Sequence, residues 1–398
     1  MPWYERSPMD QRMQFVTEFD SGLFTMTELA EHYGISRTTG YKWVERHDAE
    51  GVLGLADRSR RPHHSPQATD SRLIEALVAL RKRHPRWGAK KLLGILTRRR
   101  PDADWPARST VCDRLKAAGL VAARRRVPRP GVPVPQPRAA ITTANEVWTT
   151  DFKGEFRTGD TRYCYPFTLR DGYSRFVLRC DALLCHTEGV TRPCFERAFT
   201  AYGLPERIRS DNGPPFASVG LGRLSRLAVW WIRLGIVPER IDPGHPEQNG
   251  SHEQFHRVLK ADTARPPADN AAAQQHRFRR FCAEYNHERP HEALDDDVPA
   301  TRYRPSPRPL PSRLPPLEYP GHVEIRRVST TGAVSWRHTL FVSEALAGEH
   351  IAFEEVDDGI WTVRFATVVL GRFDERQHRI HPIAAFTVGR SPASPARA

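Results

Sequence analysis

Proline decides where this chain must break. Residues 124–138 (RRRVPRPGVPVPQPR) and 302–320 are dense in proline and arginine. A proline ring fixes φ and removes a backbone donor, so neither stretch can continue a helix or lie inside a sheet. Both read as extended linkers. Residues 57–68, which include DRSRRPHHSP, have the same character. The 398 residues also exceed one ordinary core. The segments between the breaks must therefore fold around separate cores.

Periodicity differs from segment to segment. In residues 1–56, a helical repeat at 9–19 precedes Thr27, which can cap a short helix with Leu29 and Ala30 inward. Gly34 allows a tight turn, and Ser36 can cap a second helix with Tyr41 and Val44 toward the core. Helix, glycine turn and helix describe a helix-turn-helix, whose second helix presents Arg37, Thr38, Lys42 and Arg46 outward. A plain helical hairpin reads the same way, and acidic residues outnumber basic ones here. Residues 69–123 form a second helical set. Leu73, Leu77 and Leu80 line one helix, Trp87-Gly88 opens another, and Ser109-Thr110 caps a third. Arg81, Lys82, Arg83, Lys90, Lys91, Arg98, Arg99 and Arg100 recur across these helices, as a phosphate-binding face requires.

From residue 144 the period shortens to that of strands. Strands are expected at 147–156, 163–169, 174–184, 206–210 and 237–241, with Asp171-Gly172 as a hairpin turn. Helices are expected at 191–202, 222–234, 251–264 and 271–285. Three antiparallel strands followed by alternating helices and strands predict a mixed five-stranded sheet with helices on both faces over 144–301. Residues 321–386 carry five short strand patterns separated by Gly/Asp turns, and predict a small all-β barrel or sandwich. Its arginines Arg326, Arg327, Arg337, Arg364 and Arg372 offer a surface for DNA or a neighbouring subunit. Residues 124–143 and 302–320 are the linkers around the middle segment, and 387–398 a loose tail.

Charge narrows the partners. A net +13 and a pI near 9.8 attract polyanions, nucleic acid before anionic membrane. No apolar run approaches the ~18–20 residues of a spanning helix, and the first residues lack a signal peptide's apolar stretch. A cytoplasmic, nucleoid-associated protein is expected. The six cysteines form no C-x-x-C pair, so zinc-finger spacing is absent and reduced structural thiols are expected.

Three acids stand out by context. Asp151 lies within an apolar strand (WTTDFKG), where a carboxylate is costly without compensation. Asp211 ends a strand in RSDNG. Glu253 lies early in a helix within PGHPEQNGSHEQFHRVLK, and Lys260 follows seven residues later, about two turns on along the same face. Each acid alone has an ordinary reading: Asp-Asn-Gly is a common turn, and a glutamate at a helix start favours the dipole.

Together, in this order, these stretches and the later YNHERPHEAL resemble the retroviral-type integrase core of DDE transposases. The whole chain, with its GLADRSRRP linker, is similar to bacterial insertion-sequence transposases of family 481. The resemblance implies a ribonuclease H-like fold and assigns the catalytic, metal-binding triad to Asp151, Asp211 and Glu253. Glu247, in the same motif, is passed over because the family's glutamate follows the glycine. The zinc module of the retroviral relatives is absent. The chemistry implied is two-metal phosphoryl transfer with Mg²⁺ or Mn²⁺, two ions about 3.5–4 Å apart. Asp151 is expected to bridge them, with Asp211 and Glu253 binding one each. Lys260 and Arg257 are expected to hold transposon-end phosphates. Asn212, Gln248, Asn249, His252 and His256 are candidate DNA-facing or supporting groups; Arg37, Lys42, Lys90 and Lys91 are candidate DNA contacts. The partners implied are double-stranded DNA, both transposon ends and target, and a homodimer or larger multimer on it. The alternative is a DNA-binding regulator with an inactive integrase-like core. A nuclease or an RNA-acting enzyme would explain the triad but leave the helix-turn-helix units without a use.

Overall fold

The computed structural model describes residues 7–59, 69–121, 140–218, 220–242, 250–336 and 338–382. Most of the linkers expected at 57–68 and 124–143, and the tail at 387–398, lie outside these. The chain divides into two compact units, residues 1–70 and 71–398.

The first unit holds α1 (Pro8–Asp20), α2 (Met26–His32) and α3 (Arg37–Glu50). Thr25, not Thr27, caps α2. Its hydroxyl accepts from the Glu28 amide at 3.4 Å, while the Glu28 carboxylate accepts from the Thr25 amide at 2.8 Å. Only Thr25 has a glutamate three residues on, and that pairing satisfies two orphan donors at once. Gly34 turns the chain at φ +63°, and Ser36 caps α3 through the Thr39 amide at 3.2 Å, both as expected. The inward face of α3 differs from expectation. Trp43 is buried with Phe15, Val16, Met26, Leu29 and Leu55, whereas Tyr41 is exposed and Val44 only partly covered. Gly40 sets this face: a Cβ there would stand 2.9 Å from the Phe15 ring, so α3 approaches α1 closely.

In the second unit, α4 (Ser71–Arg83), α5 (Ala89–Arg99) and α6 (Arg108–Ala117) close around Leu77, Leu80, Trp87, Leu92, Ile95, Val111 and Leu115. The cap of α6 is Ala107 without a side-chain bond, so Ser109 lies inside the helix rather than at its start.

The sheet that follows contains β1 (Val147–Phe152), β2 (Phe156–Arg157), β3 (Tyr163–Asp171), β4 (Val177–Leu183), β5 (Arg207–Ser210) and β6 (Val237–Arg240). The strand expected at 147–156 is split, because Gly154 adopts φ +77°. Five strands run in the order β4-β3-β1-β5-β6, and β2 adds a short pairing to the start of β3. β1, β3 and β4 are antiparallel; β1, β5 and β6 are parallel. Against one face pack α7 (Glu188–Tyr202) and α8 (Arg226–Arg233), with Trp148, Phe167, Phe195, Phe199 and Trp231 buried. Against the other pack α9 (Gly250–Thr263) and α10 (Ala271–His287), burying Val177, Cys180, Phe255, Leu259 and Phe278. Burying each such side chain contributes roughly 1.5–3 kcal/mol.

After the single turn α11 (Pro299–Arg302), the segment expected to be a linker is a strap. The Arg308 guanidinium donates to the carbonyls of Pro205, Leu234 and Gly235 at 2.9–3.1 Å, and the Leu204 amide donates to Arg308 O at 2.7 Å. Proline-rich chain thus lies fixed across the ends of α7 and α8.

The C-terminal segment contains β7 (Glu324–Arg327), β8 (Ala333–Trp336), β9 (His338–Phe341), β10 (His350–Asp357), β11 (Ile360–Phe365), β12 (Val368–Asp374) and β13 (Arg379–Pro382). The expected barrel is not closed. One open sheet runs β13-β12-β11-β10-β7, and β8 pairs only with β9. Trp336 of that pair packs on Phe353, Trp361 and Phe373, so the hairpin covers the sheet's apolar face instead of bridging its edges. Arg326 and Arg364 pair with Glu324 and Glu354, which reduces the basic surface expected there.

Candidate active site

Strand register brings the first two acids together. β1 and β5 are parallel, with Thr149 opposite Arg209. Two residues further along each chain stand Asp151, next to last in β1, and Asp211, just past the end of β5. Neighbouring strands lie about 4.8 Å apart, so both carboxylates sit at the carboxyl edge of the sheet. The β5 chain stops pairing here because Asn212 turns away, its amide donating to Ile241 O at 2.7 Å. Asn212, expected to face DNA, holds the Asp211 turn against the end of β6.

Glu253 arrives on α9. His252, Phe255, His256, Leu259 and Thr263 form the buried stripe of that helix, while Glu253, Arg257 and Lys260 stand on the exposed side. A cleft of about 560 Å³ runs along this side, lined by Asp151, Lys153, Glu253, Arg257, Lys260 and Arg265 among others. Lys153 and Arg265 were not picked out in the sequence; only their tertiary position reveals them.

The electrostatics tie the acids to one site. Burial, then the charge of Asp211 and also that of Glu253, push the Asp151 carboxyl up to about 7. Burial also raises that of Asp211. Asp211 Oδ1 is buried and has no hydrogen-bond partner among the described residues. Asp171 provides the contrast. It is fully buried where they are only partly so, and its oxygens accept from the Asn145 amide and from the amide and hydroxyl of Ser174 at 2.6–2.7 Å. Asp171 is satisfied by hydrogen bonds, whereas the charge of Lys153 and the Phe152 amide offset the burial of Asp151 only in part.

Hard carboxylate oxygens left in this state suit a divalent cation such as Mg²⁺ or Mn²⁺. Among the described residues, no group of three His, Cys, Asp or Glu side chains is placed so that it could hold a metal ion. Glu247, Gln248 and Asn249 lie outside the described residues.

Of the two roles open to His252 and His256, DNA-facing or supporting, their inward position fits the supporting one. Both are buried, and both ring Nε2 atoms lie 2.7 Å from Thr168 Oγ1. Burial lowers His256 to about 3 and takes His252 well below the usual range, so both rings are neutral.

The second helical set uses its basic residues differently from expectation. Lys90 pairs with Glu292 and Asp296 at 3.3 and 3.2 Å, Arg86 with Asp262 at 3.1 Å, and Arg99 with Glu288 at 3.7 Å. Lys91 is partly buried, and burial followed by the charge of Arg289 lowers it to about 8. His84, stacked on Trp87, lies 3.0 Å from Glu284. Lys90, Arg99, Arg86 and His84 thus join α5 and the turn after α4 to α9, α10 and the loop after α10. Lys82, Arg83 and Arg100 remain exposed. In the first unit Arg37 and Lys42 are exposed on α3, with Lys42 lying over the Trp43 ring.

Comparison with known proteins agrees with this layout. Residues 142–246 and 234–299 each match an Integrase core domain family, residues 11–63 a Helix-turn-helix domain and residues 39–115 a Homeodomain-like domain. The insertion element IS407 uncharacterized 31.7 kDa protein of Burkholderia multivorans is 26% identical over 247 residues, covering 60% of this chain and 82% of that one. The insertion element IS476 uncharacterized 39.2 kDa protein of Xanthomonas euvesicatoria is 26% identical over 252 residues, covering 63% and 69%. Together these matches support a bacterial insertion-element transposase with an integrase core. Among solved structures, the HTLV-2 integrase catalytic core domain in complex with magnesium aligns at 16% identity and TM-score 0.31, over 41% of this chain and 98% of that one. The BIV integrase catalytic core aligns at 19% and 0.31, over 39% and 92%. Helix-turn-helix and integrase-core domains imply DNA binding. Among the described residues, no helix is long and apolar enough to cross a membrane.

Proposed function

We propose that this transposase hydrolyses the phosphodiester at its element's ends and transfers the resulting 3′-hydroxyl into target DNA, with Asp151, Asp211 and Glu253 as the catalytic residues. The observation that carries this reading is the parallel register of β1 and β5. It sets two under-compensated carboxylates side by side at the sheet's edge, beneath a cleft that also holds Glu253. Asp151 and Asp211, with Glu253 from α9, would hold two divalent ions. When bound, such ions activate a hydroxyl nucleophile and stabilise the departing oxygen. Arg257, Lys260, Lys153 and Arg265 line the cleft and neutralise the phosphate that must enter it. Arg37 and Lys42 on α3 would contact the end sequence. Pairing two ends calls for a dimer or larger assembly on DNA. The narrower assignment to family 481 rests on the sequence motifs.

Asp151→Asn, Asp211→Asn and Glu253→Gln are expected each to lower strand transfer at least about a thousandfold, equivalent to about 4 kcal/mol of barrier. Binding of labelled end DNA should stay within about twofold. Full strand transfer by all three variants would remove the site assignment and leave a DNA-binding regulator.

A further inference from the structure

Between the strand carrying Asp151 and the helix carrying Glu253 lies a buried polar network that the proposed chemistry does not itself use. Thr168 stands directly opposite Asp151 in the antiparallel β1–β3 ladder, so both side chains lie on the face that α9 covers. Thr168 is completely buried. Its Oγ1 lies 2.9 Å from Asp151 O and 2.7 Å from Nε2 of both His252 and His256. His252 Nδ1 lies 2.9 Å from Thr149 Oγ1, and Thr149 shares the same sheet face two residues before Asp151. Next in this layer, buried Arg170 donates to Ser251 O at 2.9 Å.

The proton count leaves one arrangement. A carbonyl only accepts, so the Thr168 hydroxyl proton goes to Asp151 O. Both histidines must then donate through Nε2 to the remaining lone pairs of that hydroxyl. Thr149 donates to His252 Nδ1. The bare Nδ1 of His256 is left turned toward Asp151 Oδ2 at 3.6 Å. One hydroxyl thus ties the Asp151 backbone to two successive turns of α9, on either side of Glu253.

We propose that Thr168, His252 and His256 form a positioning clamp that fixes the Asp151 carboxylate relative to the turn of α9 bearing Glu253. A leucine or valine cluster would bury as much surface, but apolar packing lets a helix slide by fractions of an ångström. Three hydrogen bonds converging on one oxygen do not. Carboxylates that must share ions need that precision. The inference rests on the triad reading and adds three buried residues to it.

The test uses the full-length chain. Thr168→Val removes the hydroxyl at nearly constant shape, and Thr168→Ser keeps it. With Mn²⁺ alone as the probe, without DNA, Thr168→Val is expected to weaken ion binding ten- to a hundredfold. It should slow strand transfer to a similar degree and leave end-DNA binding within about twofold. Thr168→Ser should recover both to within about threefold. Wild-type Mn²⁺ affinity and strand transfer in folded Thr168→Val would overturn the clamp. If Thr168→Val does not fold, the ring ¹⁵N spectrum of the wild-type chain decides. Nε2–H is expected at both histidines, and a bare Nε2 (an Nδ1–H tautomer) at either would overturn the clamp. Asp151→Asn keeps the two questions apart. Lost transfer in Asp151→Asn with intact transfer in Thr168→Val removes only the clamp, whereas intact transfer in Asp151→Asn removes the triad reading beneath it.

Discussion

At the scale of single residues, satisfaction of hydrogen bonds separates structural acids from chemical ones. Asp171 has both oxygens bonded, one to Asn145 and one to Ser174, while Asp211 Oδ1 has no partner among the described residues and Asp151 lies near other carboxylates. This has a consequence for stability. Asp151 has a pKa near 4 when unfolded and about 7 in the fold, so the folded chain holds the proton more tightly. That contribution is complete below about pH 4 and disappears as pH rises through about 7. Without divalent ions, the protein should therefore melt lower at pH 8 than at pH 5.5. Asp151→Asn, which never ionises, should be the more stable form at pH 8 by up to a few kcal/mol, with the difference shrinking toward pH 5.5. Thermal melts in a chelating buffer measure this, and parallel curves for the two proteins would refute it.

At the scale of elements, α9 and α2 show how the sequence chooses its contacts. α9 keeps two faces apart: the buried stripe through His252, Phe255, His256 and Leu259, and the exposed line Glu253, Arg257 and Lys260. Lys260 follows Glu253 by two turns, and both line the same cleft. In α2 the reciprocal bonds between Thr25 and Glu28 fix the start. Thr25→Ala should cost about 1 kcal/mol, within the usual range for a lost cap, and speed hydrogen exchange of the first-turn amides. Thr27→Ala, inside the helix, should change exchange little. Equal effects would place the cap elsewhere.

At the scale of the molecule, ion pairs from His84, Arg86, Lys90 and Arg99 to α9, α10 and the loop after α10 join the second helical set to the integrase core. Each is partly exposed, and such pairs contribute only about 0–1 kcal/mol apiece. Lys90→Ala alone should therefore leave the melting temperature nearly unchanged. Arg86→Glu combined with Lys90→Glu sets like charges against Asp262, Glu292 and Asp296. That double reversal should raise hydrogen exchange in α5 and the C-terminal turn of α10, and high salt should reduce the effect. Unchanged exchange would mean that the contacts of His84 with Glu284 and of Arg99 with Glu288 suffice to hold the two together.

Much of this protein is written locally. The repeats of 3.6 and 2, the Gly34 turn and the Ser36 cap all act within a few residues. Most helices and strands therefore stand close to where the pattern puts them, and the candidate acids can be named from their immediate neighbours. Other features needed the folded chain. The pairing of Asp151 with Asp211 depends on which strands become neighbours. Whether His252 and His256 look inward depends on the sheet that α9 meets. Whether Lys90 finds an acid depends on a loop some two hundred residues away. The proline-rich strap and the open C-terminal sheet have the same cause: composition limits the backbone's shape, but only packing decides what it lies against.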